Sequence, residues 1–243
     1  MTIEPILLTV TRISTFFHQQ YLTSSSGFFF ARDQRLFLIT SRHVMLDPVS
    51  NHRPNRLEIE LHTNRDNLAQ STGFSIPLYR DDTPLWRQGR DNSGAIDIAA
   101  IELERSALPD TLLYYAFTPQ HIPDAADQIE IGRSLLVIGY PLGFHDNLHH
   151  LPVARQGVLA SSHGLRFQGQ GYFLTDARTH RGISGSPVVM KRSNSAPGAP
   201  LPWLLLGVHS ARLDVGTRDL ALDEALGLNC TWYSDILMTL TEG

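Results

Sequence analysis

The most informative stretch of this chain is Thr175-Asp176-Ala177-Arg178-Thr179-His180-Arg181-Gly182-Ile183-Ser184-Gly185-Ser186-Pro187-Val188-Val189. It places Ser184 between two glycines and then runs into apolar, β-branched residues, which predict a buried strand. Glycine tolerates positive φ, so a serine in such a turn can expose its hydroxyl and direct nearby N–H groups to one point. An acyl-transfer nucleophile and its oxyanion hole need this geometry. A surface loop before a strand is the alternative, because Gly, Ser and Pro are common turn residues.

A serine hydroxyl becomes a useful nucleophile only when a base takes its proton, and the base needs an orienting group. Residues 37–44 form an apolar run that leads into His43, and residues 95–101 form an apolar run with one carboxylate, Asp97. A carboxylate inside an apolar strand is costly unless a partner such as an imidazole N–H satisfies it. The sequence therefore predicts that His43, Asp97 and Ser184 act together. The competing candidates are Ser186 for the nucleophile and, for the carboxylate, Asp81, Asp82 and Asp91.

Several short motifs, spread from about residue 40 to residue 209, resemble those of one protease family. The motifs T-x-x-H-V, D-I/L-A, I-G-x-P-x-G, T-D-A, S-G-S-P-V and G-I/V-H match, in this order, residues 40–44, 97–99, 137–143, 175–177, 184–188 and 207–209. The chain thus resembles the chymotrypsin-like serine proteases, and among them the bacterial-type branch of HtrA protease domains and glutamyl endopeptidases. It departs from the family at Ile183, where Asn or Asp is more usual.

The resemblance implies an all-β, trypsin-like fold of two packed six-stranded antiparallel Greek-key β-barrels with a short C-terminal helix. Residues 1–120 would form the first barrel, with His43 and Asp97, and residues 121–243 the second, with Ser184. The proline-interrupted segment 104–128 is the expected linker. The catalytic groups would then lie in the cleft between the barrels.

The resemblance also implies a role for each site residue. Ser184 would attack the scissile carbonyl, His43 would move the proton, and Asp97 would orient the imidazole. The backbone N–H groups of Gly182 and Ser184 would form the oxyanion hole, and no metal or cofactor is required. The expected substrate is a protein or peptide, and the side chain before the scissile bond (the P1 side chain) is expected to be acidic or glutamine. The residues assigned to substrate binding are Arg178, Thr179, His209, Ser210 and Ala211.

Local patterns predict further elements along the chain. Leu57, Ile59 and Leu61 alternate with polar residues, which predicts a half-buried strand, and a strand at 75–79 is assigned to an edge because of its proline. The polar segment 80–94 is interpreted as a loop. A strand at 226–232 and a short helix with Ser234 or Asp235 as its N-cap are predicted at the C-terminus.

Composition limits the function classes. The chain has 243 residues, of which 42% are hydrophobic, and a formal net charge of −4, which argues against nucleic acid as a partner. Its one cysteine, Cys230, excludes an intrachain disulfide and favours a reducing compartment or a bacterial origin. No apolar run approaches a membrane span and no signal sequence is recognised, so we expect no membrane partner and a cytoplasmic location.

Three functional interpretations are compatible with these patterns. The first is an active serine endopeptidase. The second is a protease fold used as a regulatory or binding module that is held inactive until a partner protein triggers it. The third is an esterase of the α/β-hydrolase kind, which the sequence disfavours because Ser186 stands where its G-x-S-x-G motif requires the last glycine.

Overall fold

The computed structural model of the chain describes residues 3–193, 195, 198–213 and 227–243. Short strands dominate these residues, together with the α-helices α1 (Arg42–Met45) and α2 (Ile236–Leu240). The strands are β1 (Val10–Phe17), β2 (Gln20–Arg32), β3 (Arg35–Thr40), β4 (Arg56–His62), β5 (Ser71–Pro77), β6 (Tyr79–Arg80), β7 (Thr83–Pro84), β8 (Trp86–Asp91), β9 (Gly94–Leu103), β10 (Ser134–Gly139), β11 (Val153–Leu159), β12 (Tyr172–Ala177), β13 (Pro187–Lys191), β14 (Trp203–Arg212) and β15 (Leu228–Tyr233). Short 3-10 turns lie at Pro5–Thr9, Arg105–Ala107, Pro119–His121, Pro141–Gly143 and Phe167–Gly169.

The first half of the fold is a seven-stranded antiparallel sheet in the order β5-β4-β1-β2-β3-β9-β8. In β4 the predicted alternation is confirmed over residues 57–61, because Leu57, Ile59 and Leu61 are buried while the acidic residues between them are only half-buried. It ends at His62, which is also buried. Strand β2 is instead buried continuously from residue 25 to residue 30. Such a run indicates that both faces of the sheet are covered at this strand.

The second half is a closed six-stranded barrel in the order β10-β11-β12-β15-β14-β13. An apolar core formed by the side chains of strands such as β10, β13 and β14 fills its interior. A second core joins the barrel to the first sheet, since Phe28 and Phe30 of β2 pack with Ile138, Leu205 and Val208 of the barrel. The all-β expectation and one closed six-stranded barrel are therefore confirmed.

The first half differs from the expected six-stranded barrel in two respects. It contains seven strands, and these form an open sheet whose outermost strands are β5 and β8. The edge strand predicted at 75–79 is found as β5, which begins at Ser71 and ends at Pro77, and its edge position is confirmed. Proline cannot donate a ladder hydrogen bond there. At the other edge α2 packs against β8, where Ile236 lies next to Gly89.

The prediction of a continuous loop at residues 80–94 is wrong, because β8 lies within it and pairs with β9. Only two of its six residues, Trp86 and Gly89, are buried, so no alternation of apolar and polar residues marks the strand. The register also shifts between Gln88 and Arg90, which interrupts any regular pattern. Pairing with the adjacent strand β9 across a short turn, and not an apolar pattern of its own, makes this segment extended.

The C-terminal helix is present as predicted, with Leu237 and Leu240 buried. Asp235 occupies the N-cap position, but neither predicted cap residue forms a side-chain cap bond. Ser234 Oγ instead donates to the carbonyl oxygen of Leu205 at 2.6 Å. The predicted strand at 226–232 is found as β15, and its first residue, Leu226, lies outside the described residues. Among the helices of the described residues, none is long and apolar enough to cross a membrane.

Candidate active site

His43 lies on α1, the single helical turn that follows β3 and packs against β9. Its ring Nδ1 is 2.7 Å from Oδ2 of Asp97, and its backbone N–H donates to Oδ1 of the same carboxylate at 2.9 Å. One carboxylate therefore binds both the ring and the main chain of His43. This double contact sets the ring orientation and makes Nδ1 the protonated nitrogen, which leaves Nε2 free to accept a proton.

Asp97 lies in the interior of β9, and its side chain is only 17% exposed. Burial by itself would raise the pKa of Asp97, but the hydrogen bonds from His43 and Ser210 and the charge of His43 outweigh it, so the pKa lies below its ordinary value. The bond from Ser210 Oγ to Asp97 Oδ2 measures 2.5 Å. The group is therefore an ionised carboxylate with three hydrogen bonds at neutral pH.

Ser184 lies in the turn between β12 and β13, in a cleft of about 610 Å³ that His43 and Gly182 also line. Gly182 and Gly185 on either side of it have φ of +89° and +83°. A Cβ on Gly185 would lie 2.2 Å from the Ser26 carbonyl oxygen, so this close approach requires glycine. In this structure Ser184 Oγ donates to the Ser210 carbonyl oxygen at 2.8 Å.

Two serines of β2 hold the Ser184 turn from the opposite half of the fold. The Ser184 carbonyl oxygen accepts hydrogen bonds from Ser25 Oγ at 2.7 Å and from the Ser26 N–H at 3.1 Å. Ser26 Oγ donates to the Gly182 carbonyl oxygen at 2.8 Å and accepts the N–H of Tyr140 at 3.0 Å. Neither serine was predicted as a site residue, although both stand directly before an apolar run, which is a signal that the sequence carries.

The backbone before Ser184 leaves two amides available. The Arg181 carbonyl oxygen accepts the N–H of Leu142 at 2.6 Å, and the described residues contain no cis peptide bond. Because C=O and N–H point in opposite directions in a trans peptide, the Gly182 N–H faces away from Leu142. Among the described residues, neither this N–H nor that of Ser184 donates within the protein. Both N–H groups therefore have no internal acceptor among the described residues.

Ile183, the departure from the family pattern, is fully buried in the apolar core of the barrel. An acidic or amide side chain there would need polar partners, whereas an isoleucine is held by packing alone. The turn is thus positioned by apolar burial beneath it and by the β2 serines beside it.

Two of the residues predicted to bind the P1 side chain lie in a buried polar cluster. Thr179 is 5% exposed and its Oγ1 is 2.5 Å from Oδ1 of Asn229, a residue that sequence reasoning missed. His209 on β14 is 2% exposed, and burial, with a smaller contribution from the charge of His43, lowers its pKa to about 3. Arg178 is exposed and lies outside this cluster. His209 is consequently a neutral imidazole at neutral pH.

The remaining predicted positions lie at the end of β14. Ser210 is buried and contacts both Asp97 and Ser184, whereas Ala211 is exposed beside it. Among the residues that the structure describes, no group of three or more His, Cys, Asp or Glu side chains is placed to hold a metal ion.

An all-β fold with a closed barrel, a histidine paired with a buried carboxylate, and a glycine-flanked serine in the same cleft as that histidine are together typical of the trypsin-like class of serine peptidases. The family model described as "Trypsin-like peptidase domain" matches residues 25–196, more than half of the sequence. The chain therefore belongs to the trypsin-like peptidase domain family, a family of serine endopeptidases, and the resemblance found in the sequence is confirmed.

Solved structures share the fold at low identity. A serine endoprotease from Yersinia pestis is similar with a TM-score of 0.54 and 16% identity, covering 97% of this chain and 62% of that chain. The active form of a protease from M. tuberculosis gives a TM-score of 0.53 and 16% identity, covering 98% of this chain and 82% of that one. The chain thus spans less than two thirds of the Yersinia protein. A search among curated proteins finds no significant match.

Proposed function

We propose that this protein is a serine endopeptidase that hydrolyses peptide bonds through an acyl-enzyme. Ser184 Oγ attacks the scissile carbonyl, and Nε2 of His43 takes the hydroxyl proton. The Asp97 carboxylate, bound to Nδ1–H, keeps the imidazole in the tautomer that can accept this proton and stabilises the imidazolium that forms. His43 then returns the proton to the leaving amine, and a water molecule activated in the same way releases the acid product.

The oxyanion of each tetrahedral intermediate is bound by the N–H groups of Gly182 and Ser184. Both N–H groups are unpaired within the described residues, so no internal hydrogen bond has to break when negative charge develops on the substrate oxygen. Each donor of this kind contributes about 3 kcal/mol of transition-state stabilisation. No step requires a metal or an organic cofactor.

The observation that carries the proposal is the double hydrogen bond from His43 to the Asp97 carboxylate, together with the cleft that His43 and Ser184 both line. A fluorophosphonate probe tests it, because such a probe reacts only with an activated serine. We expect labelling of the wild type and none of Ser184→Ala. Ser186→Ala is the matched control, since Ser186 is fully buried and its hydroxyl has no partner among the described residues. Labelling that persists in Ser184→Ala, or that disappears in Ser186→Ala, would contradict the assignment.

The proposed substrate is an extended peptide that pairs with the main chain of Ser210 and Ala211 as an added strand. Its P1 side chain, glutamate or glutamine, enters the polar cluster of Thr179 and His209. Arg178 is exposed and contacts the substrate outside that cluster. In this arrangement residues 1–120 supply the proton-transfer pair and residues 121–243 supply the nucleophile and the specificity residues.

A second candidate function is a protease fold that a partner protein must activate. It is favoured by the hydrogen bond from Ser184 Oγ to the Ser210 carbonyl oxygen, because a hydroxyl that donates there does not donate to His43. Rotation of the serine side chain separates the two states. Folded wild-type protein that the probe labels without any added factor would exclude this candidate.

A further inference from the structure

We infer that the P1 pocket selects a carboxamide side chain, that of glutamine, over a carboxylate, and that Asn229 determines this choice by setting which hydrogen bonds Thr179 can form. The inference depends on the proposed endopeptidase function and decides between the two P1 classes that function allows.

The orientation of the Asn229 amide is set by its surroundings. Asn229 is fully buried, and its Nδ2 donates to the carbonyl oxygens of Ala177 at 2.8 Å and Gly227 at 2.9 Å, with a longer contact of 3.3 Å to that of Thr175. All three neighbours are acceptors. A flipped amide would place Oδ1 against carbonyl oxygens, so Oδ1 must point the other way, toward Thr179.

This orientation fixes the role of the Thr179 hydroxyl. Its Oγ1 is 2.5 Å from Asn229 Oδ1, which is an acceptor only. The hydroxyl must therefore donate its single proton to Asn229. Toward a ligand it can act only as a hydrogen-bond acceptor, through its lone pairs. An ionised carboxylate has no proton to donate to those lone pairs, whereas the NH₂ group of a carboxamide has two.

His209 supplies the complementary donor. Register places it opposite Thr231 on β15, two residues from Asn229, and side chains two apart on a strand share one face of the sheet. Burial lowers the pKa of His209, so the imidazole is neutral and carries one N–H for the carboxamide oxygen. A neutral His209 brings no positive charge to compensate a buried carboxylate.

The same face carries polar atoms that the protein leaves unpaired. Among the described residues, His209 Nδ1 and the hydroxyl oxygens of Thr175 and Thr231 are buried without a hydrogen-bond partner. Buried polar groups are nearly always paired in folded proteins, so three in one place indicate a site that receives a polar group. An apolar P1 side chain would leave all of them unpaired.

The test uses three peptides that differ only at P1, with glutamine, glutamate or methionine, at neutral pH. Methionine has nearly the shape of glutamine and no hydrogen-bonding amide. We expect kcat/KM for the glutamine peptide to exceed that for each of the others at least about tenfold, because a site built for hydrogen bonds discriminates against analogues that cannot form them.

Two variants test the role of Thr179. Thr179→Val removes the acceptor with little change of shape, and we expect the preference for glutamine over methionine to fall about tenfold. Thr179→Ser keeps the hydroxyl and should retain the preference. Fluorophosphonate labelling of each variant, which does not depend on P1, reports whether the cleft is intact.

The outcomes separate the inference from the proposed function. Labelling of Ser184 together with equal or faster cleavage after glutamate, or an unchanged glutamine preference in labelled Thr179→Val, would overturn the carboxamide inference and leave the endopeptidase assignment in place. Absence of both labelling and cleavage in folded wild-type protein would overturn the two together.

Discussion

Replacement of Ser26 by alanine should destabilise the protein and slow its chemistry, because one hydroxyl joins three parts of the fold. Ser26 lies on β2 in the first sheet and is fully buried. Its Oγ accepts the N–H of Tyr140 at 3.0 Å, directly after β10, and donates to the carbonyl oxygen of Gly182 at 2.8 Å, in the turn before Ser184. The alanine variant keeps the β2 main chain, including the Ser26 N–H bond to Ser184.

The magnitude follows from what the substitution leaves behind. The Tyr140 N–H and the Gly182 carbonyl would both lose their partner, and each unsatisfied buried group costs about 1–3 kcal/mol. A space of one oxygen atom is too small to admit a water molecule that would replace both bonds. We therefore expect the free energy of unfolding to fall by about 2–6 kcal/mol. Because Gly182 carries a proposed oxyanion donor, the rate of fluorophosphonate labelling should fall as well.

Urea unfolding of wild type, Ser26→Ala and Ser24→Ala measures the effect. Ser24 is the matched control, since it lies two residues away on the same strand and its hydroxyl has no partner among the described residues. Its removal should change stability by no more than about 0.5 kcal/mol. The reasoning is refuted if Ser26→Ala loses no more stability than Ser24→Ala, or if it loses stability while the labelling rate of the folded protein is unchanged.

Three further predictions concern other parts of the fold. Asp97→Asn should lower kcat by about 10⁴-fold with little loss of folded protein, because an amide no longer selects the productive imidazole tautomer; peptide hydrolysis measures it. His209 has a pKa of about 3 when folded and an ordinary value of about 6.5 when unfolded, so the unfolded state binds the proton first on acidification. Stability should therefore fall by up to about 1.4 kcal/mol per pH unit below pH 6.5, and His209→Gln should flatten this slope in urea titrations at pH 7 and pH 5. In Gly207→Ala the new Cβ would lie 2.1 Å from the Trp232 carbonyl oxygen, whereas in Gly73→Ala it would meet nothing within 4 Å. Thermal unfolding should show a loss of about 2–3 kcal/mol for the first substitution only.

Features that depend on a short local pattern could be predicted from the sequence. The apolar runs around His43 and Asp97 and the glycines around Ser184 are short patterns, and the structure brings all three residues to one region of the molecule. The alternation in β4 could likewise be predicted, since a strand with one buried face alternates apolar and polar residues in its own sequence. The edge position of β5 could be predicted from its proline.

The contacts that were missed join residues far apart in the chain. The bond from Ser26 to Gly182 spans 156 residues, and that from Thr179 to Asn229 spans 50. In neither pair does the sequence around one residue indicate which distant residue is its hydrogen-bond partner. The prediction of a loop at β8 failed for a different reason. This strand pairs with the adjacent β9 across a short turn, but only two of its six residues are buried, so its own sequence shows no strand pattern.

Sequence alone thus determined the family resemblance and the candidate groups: one serine, one histidine and one carboxylate, together with the glycines of the turn around that serine. Only the tertiary structure decided which hydrogen bonds and packing contacts hold those groups in place. The open first sheet, the hydrogen bonds from the β2 serines to the Ser184 turn and the direction of the Asn229 amide all depend on packing between distant segments. Burial in that packing is also what makes His209 neutral, and no run of neighbouring residues encodes it.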